Sequence, residues 1–314
     1  MKQELRTRPF PALTPAQRYH FDVYGYVIVP DVLTRQECEV MRSDLQRLKK
    51  DLLAIDPPEN RVIEHAYFQT DSPHHHYLGA IGQAWSYPGI LDYVTHPKIV
   101  GMAEEVSGGK VHILEANAHI NRMAPEWDLD GSGFPKYGFH RGLPVDEGSH
   151  YKNGLVHANF VKVLTNLTDL GPDDGGTVVI PGSHKTDAGD EAIVAAAYED
   201  RSLISQIVAP AGSAVLFTEA LLHATGRITS DNERVIIITG YGTTYFPWQF
   251  MESHRSDFRI EDAFIESIPE SLRDLYVSEG YIQRKHRYRD LSQVADGKSY
   301  PATPWPALEE RRKS

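Results

Sequence analysis

Between residues 110 and 242 the chain is a series of short apolar runs broken by Gly, Pro and Asp turns, and that spacing leaves few folds open. Residues 111–123 form one extended run, and residues 160–167 alternate apolar with polar side chains. Residues 176–182 read as a short strand ending in a turn, while 213–217 and 235–242 are β-branched. Strands this short bury their apolar faces only by pairing into two packed layers or a closed barrel. The pattern predicts a mainly β fold with flanking helices, a sandwich or barrel of jelly-roll type. An alanine-rich helix over residues 190–200 interrupts the strands.

Helices precede this region. Thr14, Pro15 and Gln17 have the pattern of a capping box with proline in the first turn, and Gly25 leads into a strand over residues 26–30. Thr34 and Glu37 open a second helix, with Cys38, Met41, Leu45, Leu48 and Leu52 on one face. The organisation expected is one catalytic domain over residues 1–314. It comprises an N-terminal helix and strand flank (14–109), a strand-rich core (110–250) and a helical extension with a Pro-punctuated tail (251–314).

Composition narrows the partners. With 32 basic and 43 acidic residues the formal net charge is −11, which disfavours binding a nucleic acid polymer. No run approaches the roughly 18 apolar residues of a membrane helix, and the N-terminus lacks the apolar segment of a secretory signal. Cys38 is the only cysteine, so no intramolecular disulfide or thiolate metal cage can form. A cytoplasmic location is the expectation.

Fifteen histidines are too many to weigh singly, so context selects. His140 follows a Gly/Pro-rich loop (128–137), His223 follows a predicted core strand, and Arg234 opens the next strand eleven residues later. Neutral imidazoles on strands lining a cavity suit Fe(II) and leave coordination positions open. An arginine in the same cavity offers a planar fork to a carboxylate.

The chain resembles the phytanoyl-CoA dioxygenase family of iron/2-oxoglutarate enzymes over roughly residues 14–250. The resemblance rests on residues 13–17 and 25–30, and on 167–169 with 174–185, including Ile180-Pro181-Gly182-Ser183-His184. It continues through 212–217, then His223 and Arg234. It implies a double-stranded β-helix, with Fe(II), 2-oxoglutarate and O2 as cofactor and co-substrates. It makes His140 and His223 the iron ligands and Arg234 the anchor of the distal carboxylate of 2-oxoglutarate. By the same resemblance Arg122 adds a co-substrate contact, and Thr177 and Thr225 offer hydroxyls near the cofactor.

One position departs from the family. Its pattern is His-x-Asp, completing two histidines and a carboxylate on iron, whereas this chain has His140-x-Gly142. The sole literal His-x-Asp, at His20 and Asp22, lies on the first predicted helix. Halogenases of the superfamily carry Ala or Gly here and bind halide, so the favoured expectation is a chlorinase with chloride at the open Gly142 position. The alternative is a hydroxylase in which water or a nearby carboxylate, from Asp146, Glu147 or Glu219, fills the gap. A third reading is a binding module that has lost its iron.

For the substrate, Phe134, Tyr137, Arg141, His150 and Lys152 mix aromatic and basic side chains near the first ligand, as a lid over an anionic ring compound would. A free small molecule, a nucleotide or nucleoside, is expected rather than one tethered to a carrier protein. The His74-His75-His76 run and His184 are weighed as loop and turn residues.

Overall fold

The computed structural model describes residues 12–152, 154–186, 188–244 and 262–276. These belong to one compact unit, Met1–Tyr276. In chain order the elements are α1 (Pro15–Tyr24), β1 (Tyr26–Val29), α2 (Arg35–Leu53), β2 (Val62–Ile63), β3 (Ala66–Ser72) and β4 (His75–Gly79). Then follow α3 (Pro88–Val94), α4 (Pro97–Ser107), β5 (Val111–Asn121), β6 (Ser149–Lys152), β7 (Leu155–Ala158) and β8 (Phe160–Asn166). The last are β9 (Val178–Val179), α5 (Asp190–Glu199), β10 (Ser205–Gln206), β11 (Ala214–Thr218), β12 (His223–Ala224), β13 (Arg234–Thr243) and α6 (Asp262–Ser267).

Both expected capping boxes form. Thr14 and Thr34 each accept a hydrogen bond from the backbone N–H three residues on, and Gln17 and Glu37 reciprocate. Gly25 ends α1 at φ +81°, a left-handed position that favours glycine. A Cβ there would lie 2.8 Å from Cγ of the His184 ring, so His184 packs beneath this turn as a structural residue. Cys38, Met41, Leu45, Leu48 and Leu52 are all buried on α2, each large apolar side chain contributing roughly 1.5–3 kcal/mol relative to exposure.

Eight strands pair antiparallel in the order β1-β11-β8-β13-β5-β4-β3-β2 among the described residues. Four of them, β1 to β4, come from residues ahead of 110, a region expected to flank the sheet rather than extend it. A shorter sheet, β10-β9-β12, carries the second histidine. The architecture is therefore mixed α/β with a large antiparallel sheet, more helical than the mainly β expectation. The predicted strand at 176–182 shortens to Val178–Val179. The helix at 190–200 forms as α5. Of the extension expected beyond residue 250, α6 and a 3-10 turn at Glu270–Leu275 are described; the tail from residue 299 lies outside the described residues.

The two faces of the large sheet do different work. Tyr93 on α3 donates its hydroxyl proton towards the backbone oxygen of Val163 or Ile237 or towards Thr165 Oγ1, all within 3.1 Å, and Tyr241 of β13 donates to Val94 of α3 at 2.7 Å. Helices thus seal one face. On the other face Leu164, Val215, Phe217, Ile236 and Ile238 pack with Val179 of the short sheet and with Ile207. Residues two apart share a face, so pairing of β8, β13, β5 and β4 places Lys162, Gly240 and Glu115 in one row and Ile236, His119 and Tyr77 in another. Arg234 pairs with Asn121 at the end of this inner face. Along β13 the inner face is polar at both ends, at Arg234 and beside Gly240, with Ile236 and Ile238 between.

Candidate metal and anion site

His140 and His223 come together through the backbone. His140 N–H donates to the His223 carbonyl and His223 N–H to the His140 carbonyl, both at 3.0 Å, forming an isolated antiparallel bridge. The ring centroids stand 4.4 Å apart. His140 Nδ1 lies 3.0 Å from the Gly138 carbonyl and His223 Nδ1 2.9 Å from the Leu221 carbonyl. A carbonyl only accepts, so each Nδ1 carries the proton and each Nε2 keeps its lone pair. His223 is buried, and burial, followed by the neighbouring His140 and Lys162, holds its pKa well below the usual imidazole range. It is the neutral form that binds metal. His140 is exposed, at the mouth of the site.

Arg234 lies completely inside. Its Nη2 donates to Thr177 Oγ1 at 3.3 Å, while Nε and Nη1 have no hydrogen-bond partner among the described residues. Burial draws its pKa down to about 10. A buried guanidinium with two unpartnered nitrogens is costly unless an anion completes it. His75 and His119 stand 2.9 Å apart, with Tyr77 stacked on His119 at 4.1 Å. Burial first and then the charge of Arg234 lower the pKa of both histidines, so they do not compete with Arg234 for an anion. Two imidazoles with free Nε2 atoms fit a divalent metal, and the unpartnered arginine fits a carboxylate. Among the described residues no group of three or more His, Cys, Asp or Glu side chains converges as a ready-made metal cluster.

The space beside Gly142 is filled. A Cβ built on Gly142 would collide with Glu219 Oε2 and lie 2.9 Å from its Cδ. Backbone bonds from Gly142 N and Leu143 N to the Glu219 carbonyl, at 2.9 and 3.2 Å, fix this approach. Of the three acids that could fill the gap at Gly142, Glu219 is 1% exposed, whereas Asp146 and Glu147 are exposed. Lys162 Nζ reaches Glu219 Oε1 at 3.2 Å and Glu115 Oε1 at 3.0 Å. Burial lowers the Lys162 pKa, but the two carboxylates outweigh it and the net shift is upward. Burial raises that of Glu115 despite Lys162. Gly240 separates Lys162 from Glu115 in the sheet; a Cβ there would stand 2.6 Å from Glu115 Cγ. The pattern of the chain gave little weight to Glu219 and none to Lys162 or Glu115, because lysine and glutamate on strands usually face solvent.

Other expected site residues are engaged elsewhere. Arg122 is 60% exposed and paired with Glu233 at 2.9 Å. Arg141 bonds the carbonyls of Ser183 (3.2 Å) and Ala220 (2.9 Å) and pairs with Asp190 at 2.8 Å. It fastens the His140 loop to α5. Lys152 donates to the Gly108 carbonyl at 2.5 Å and His150 Nδ1 lies 2.7 Å from Asn159 Oδ1, both on the β6-β7 hairpin. Phe134 lies beneath the Arg201 guanidinium at 4.3 Å and edge-on to Tyr137. Thr177 touches Arg234, whereas Thr225 is exposed. In the histidine run, His74 is exposed and His76 lies 3.3 Å from Asp71. His20 and Asp22 lie on α1, with Asp22 paired to Arg18.

A histidine pair joined by a backbone bridge, with a buried arginine on the large antiparallel sheet, fits one class, the non-haem iron, 2-oxoglutarate-dependent oxygenases. The phytanoyl-CoA dioxygenase (PhyH) model matches residues 21–236, and the chain belongs to that family. It is 27% identical over 231 residues to an ectoine dioxygenase of Nocardia farcinica, covering 65% of this chain and 69% of that one. It is 29% identical over 180 residues to the dioxygenase cdmD of Talaromyces verruculosus, covering 56% and 53% respectively. Among solved structures it resembles HygX of Streptomyces hygroscopicus with nickel and 2-oxoglutarate bound (TM-score 0.56, 22% identity, 75% of this chain and 89% of that one). HygX has also been solved with nickel, 2-oxoglutarate and hygromycin B (TM-score 0.54, 22% identity, 74% and 89%). At that identity the likeness concerns the fold.

Proposed function

We propose that this chain hydroxylates a free small metabolite, using Fe(II) held by His140 and His223 and 2-oxoglutarate held by Arg234, on a double-stranded β-helix. The observation that carries the reading is the pairing of two proton-fixed imidazoles with a buried, half-unpartnered arginine. That HygX was crystallised with nickel and 2-oxoglutarate supports the same use of this fold. Bound iron would supply activation of O2. The protein's own part is to keep both Nε2 atoms free, to hold the co-substrate carboxylate on Arg234 and Thr177, and to shield the inner face from water.

Hydroxylation is favoured over halogenation because of Glu219. The glycine suggested an open halide position, yet the carboxyl group of Glu219 lies where a side chain at 142 would begin. A chloride placed there would meet a buried carboxylate, a like charge. A nucleotide substrate is also less favoured, because Arg141, Lys136 and Lys152 are bound to Asp190, Asp128 and the Gly108 carbonyl. A substrate without phosphate fits better. HygX with hygromycin B is an example of a small-molecule ligand on this fold.

The test is anaerobic reconstitution with Fe(II) and 2-oxoglutarate, then exposure to O2 with a panel of small metabolites, with and without chloride. Succinate formation and product mass are followed. Hydroxylated product unaffected by chloride is the expected result. A chlorinated product would overturn the hydroxylase assignment, and absence of iron binding would overturn the whole reading.

A further inference from the structure

We propose that Glu219 supplies the carboxylate missing at position 142 and is the third protein ligand of the metal, with Lys162 as its positioning residue. This rests on the iron site just described and deepens it. A two-histidine face needs an anionic partner on the same side, and the chain encodes none at the usual place. The carboxyl group of Glu219 nevertheless occupies the start of that missing side chain, as the collision with a Cβ on Gly142 demonstrates. The glycine and the glutamate are complementary: one removes a side chain and the other fills its volume from the neighbouring segment.

Three further observations point to a ligand rather than a buried structural acid. Glu219 Oε1 lies 4.0 Å from His223 Nε2, and two donors sharing one ion at about 2.1 Å stand no more than roughly 4.2 Å apart. The same oxygen has no hydrogen-bond partner among the described residues although it is buried. Lys162, 3.2 Å away, lies within ion-pair range but outside hydrogen-bond geometry, and it is shared with Glu115. Two carboxyl groups thus divide one ammonium. Glu115 Oε1 also lacks a hydrogen-bond partner among the described residues, but Glu115 is held by Asn117 through Oε2. Glu219 Oε1 instead faces His223, where a divalent cation would complete it. Glu219 also sits four residues before His223 in the turn that stitches the His140 loop, so both segments carrying the histidines fix its position.

Convergence of the three groups requires the carboxylate to shift from Lys162 towards His223. Lys162, anchored by Glu115, limits that shift and prevents the acid from turning to solvent. Its role is positional, since it does not face the metal as a donor.

The experiment is calorimetric titration of the metal-free full chain with Fe(II) under anaerobic conditions, and with Co(II) read by its visible spectrum. Wild type, His140→Ala, His223→Ala, Glu219→Gln and the double variant Gly142→Asp with Glu219→Ala are compared. Circular dichroism and melting in chelator confirm that each is folded. Glu219→Gln should weaken Fe(II) binding at least tenfold and alter the Co(II) spectrum. The double variant, which returns a carboxylate to position 142, should recover most of the affinity. Lys162→Met should change the Co(II) spectrum while retaining metal, which a merely structural lysine would not do. Wild-type affinity and spectrum in Glu219→Gln, with binding lost in both histidine variants, would overturn the Glu219 proposal and leave the iron site standing. Unchanged binding in the histidine variants would instead overturn the iron site itself. A chloride-dependent spectrum in the wild type would return the position to a halide.

Discussion

Gly142 and Glu219 are coupled by contact alone, before any metal is added, and a double-mutant cycle measures this. In Gly142→Ala the new methyl collides with Glu219 Oε2 and lies 2.9 Å from Cδ, against the 3.4–4 Å of ordinary contact. The obstacle is the far end of a side chain, so the cost depends on what holds that end. Glu219 is 1% exposed and within 3.2 Å of Lys162, so moving it weakens an ion pair and disturbs a packed interior. Overpacking of this kind costs about 1–3 kcal/mol. Glu219→Ala removes the obstacle and leaves Lys162 with Glu115 at 3.0 Å. Adding Gly142→Ala to that background should then cost almost nothing. The expected coupling is about 1–3 kcal/mol, or roughly 2–4 °C in Tm per kcal/mol for a domain of this size. Chelator-treated protein, melted and unfolded in urea, gives all four corners of the cycle. Additive effects of the two substitutions would refute the packing argument.

Arg234→Ala should weaken 2-oxoglutarate binding at least tenfold by calorimetry in the metal-loaded protein, since a carboxylate would lose its charged partner, whereas Arg122→Ala should leave that affinity unchanged because its guanidinium is on the surface with Glu233. Arg141→Ala should destabilise the fold by roughly 2–4 kcal/mol in urea, because two carbonyls and Asp190 lose their donor. His184 should make the protein acid-sensitive: burial first, then Lys185 and Arg141, depress its pKa to about 4. The unfolded chain takes up this proton near pH 6.5 and the folded chain near 4, so stability falls as pH drops through that window, by about 3 kcal/mol in all. His184→Gln should flatten the urea midpoint between pH 6.5 and 4, and an unchanged slope would contradict the assignment.

Local signals determined much of this protein. Hydrogen bonds three residues long and a 3.6-residue apolar period are properties of adjacent residues, so both capping boxes and the buried face of α2 could be read directly. Motif residues and spacing singled out His140, His223 and Arg234, and the fold brings the two histidines into one backbone bridge and seals the arginine beneath the sheet. The sequence also exposed the missing carboxylate at Gly142 and offered Asp146, Glu147 and Glu219 for its place without choosing among them.

What occupies that absence was decided by pairing between distant segments. Glu219 meets Gly142 because the turn before β12 hydrogen-bonds to the His140 loop, and Lys162 meets Glu115 across Gly240 because β8, β13 and β5 adopt one register. The strands contributed from ahead of residue 110, and the surface pairing of Arg122 with Glu233, arise in the same way. A charged side chain carries no mark of which neighbour will neutralise it, because that neighbour is set by register and loop closure and not by the residues beside it. The glycine was legible in the chain; which of the three acids lies in its place is decided only once the chain is folded.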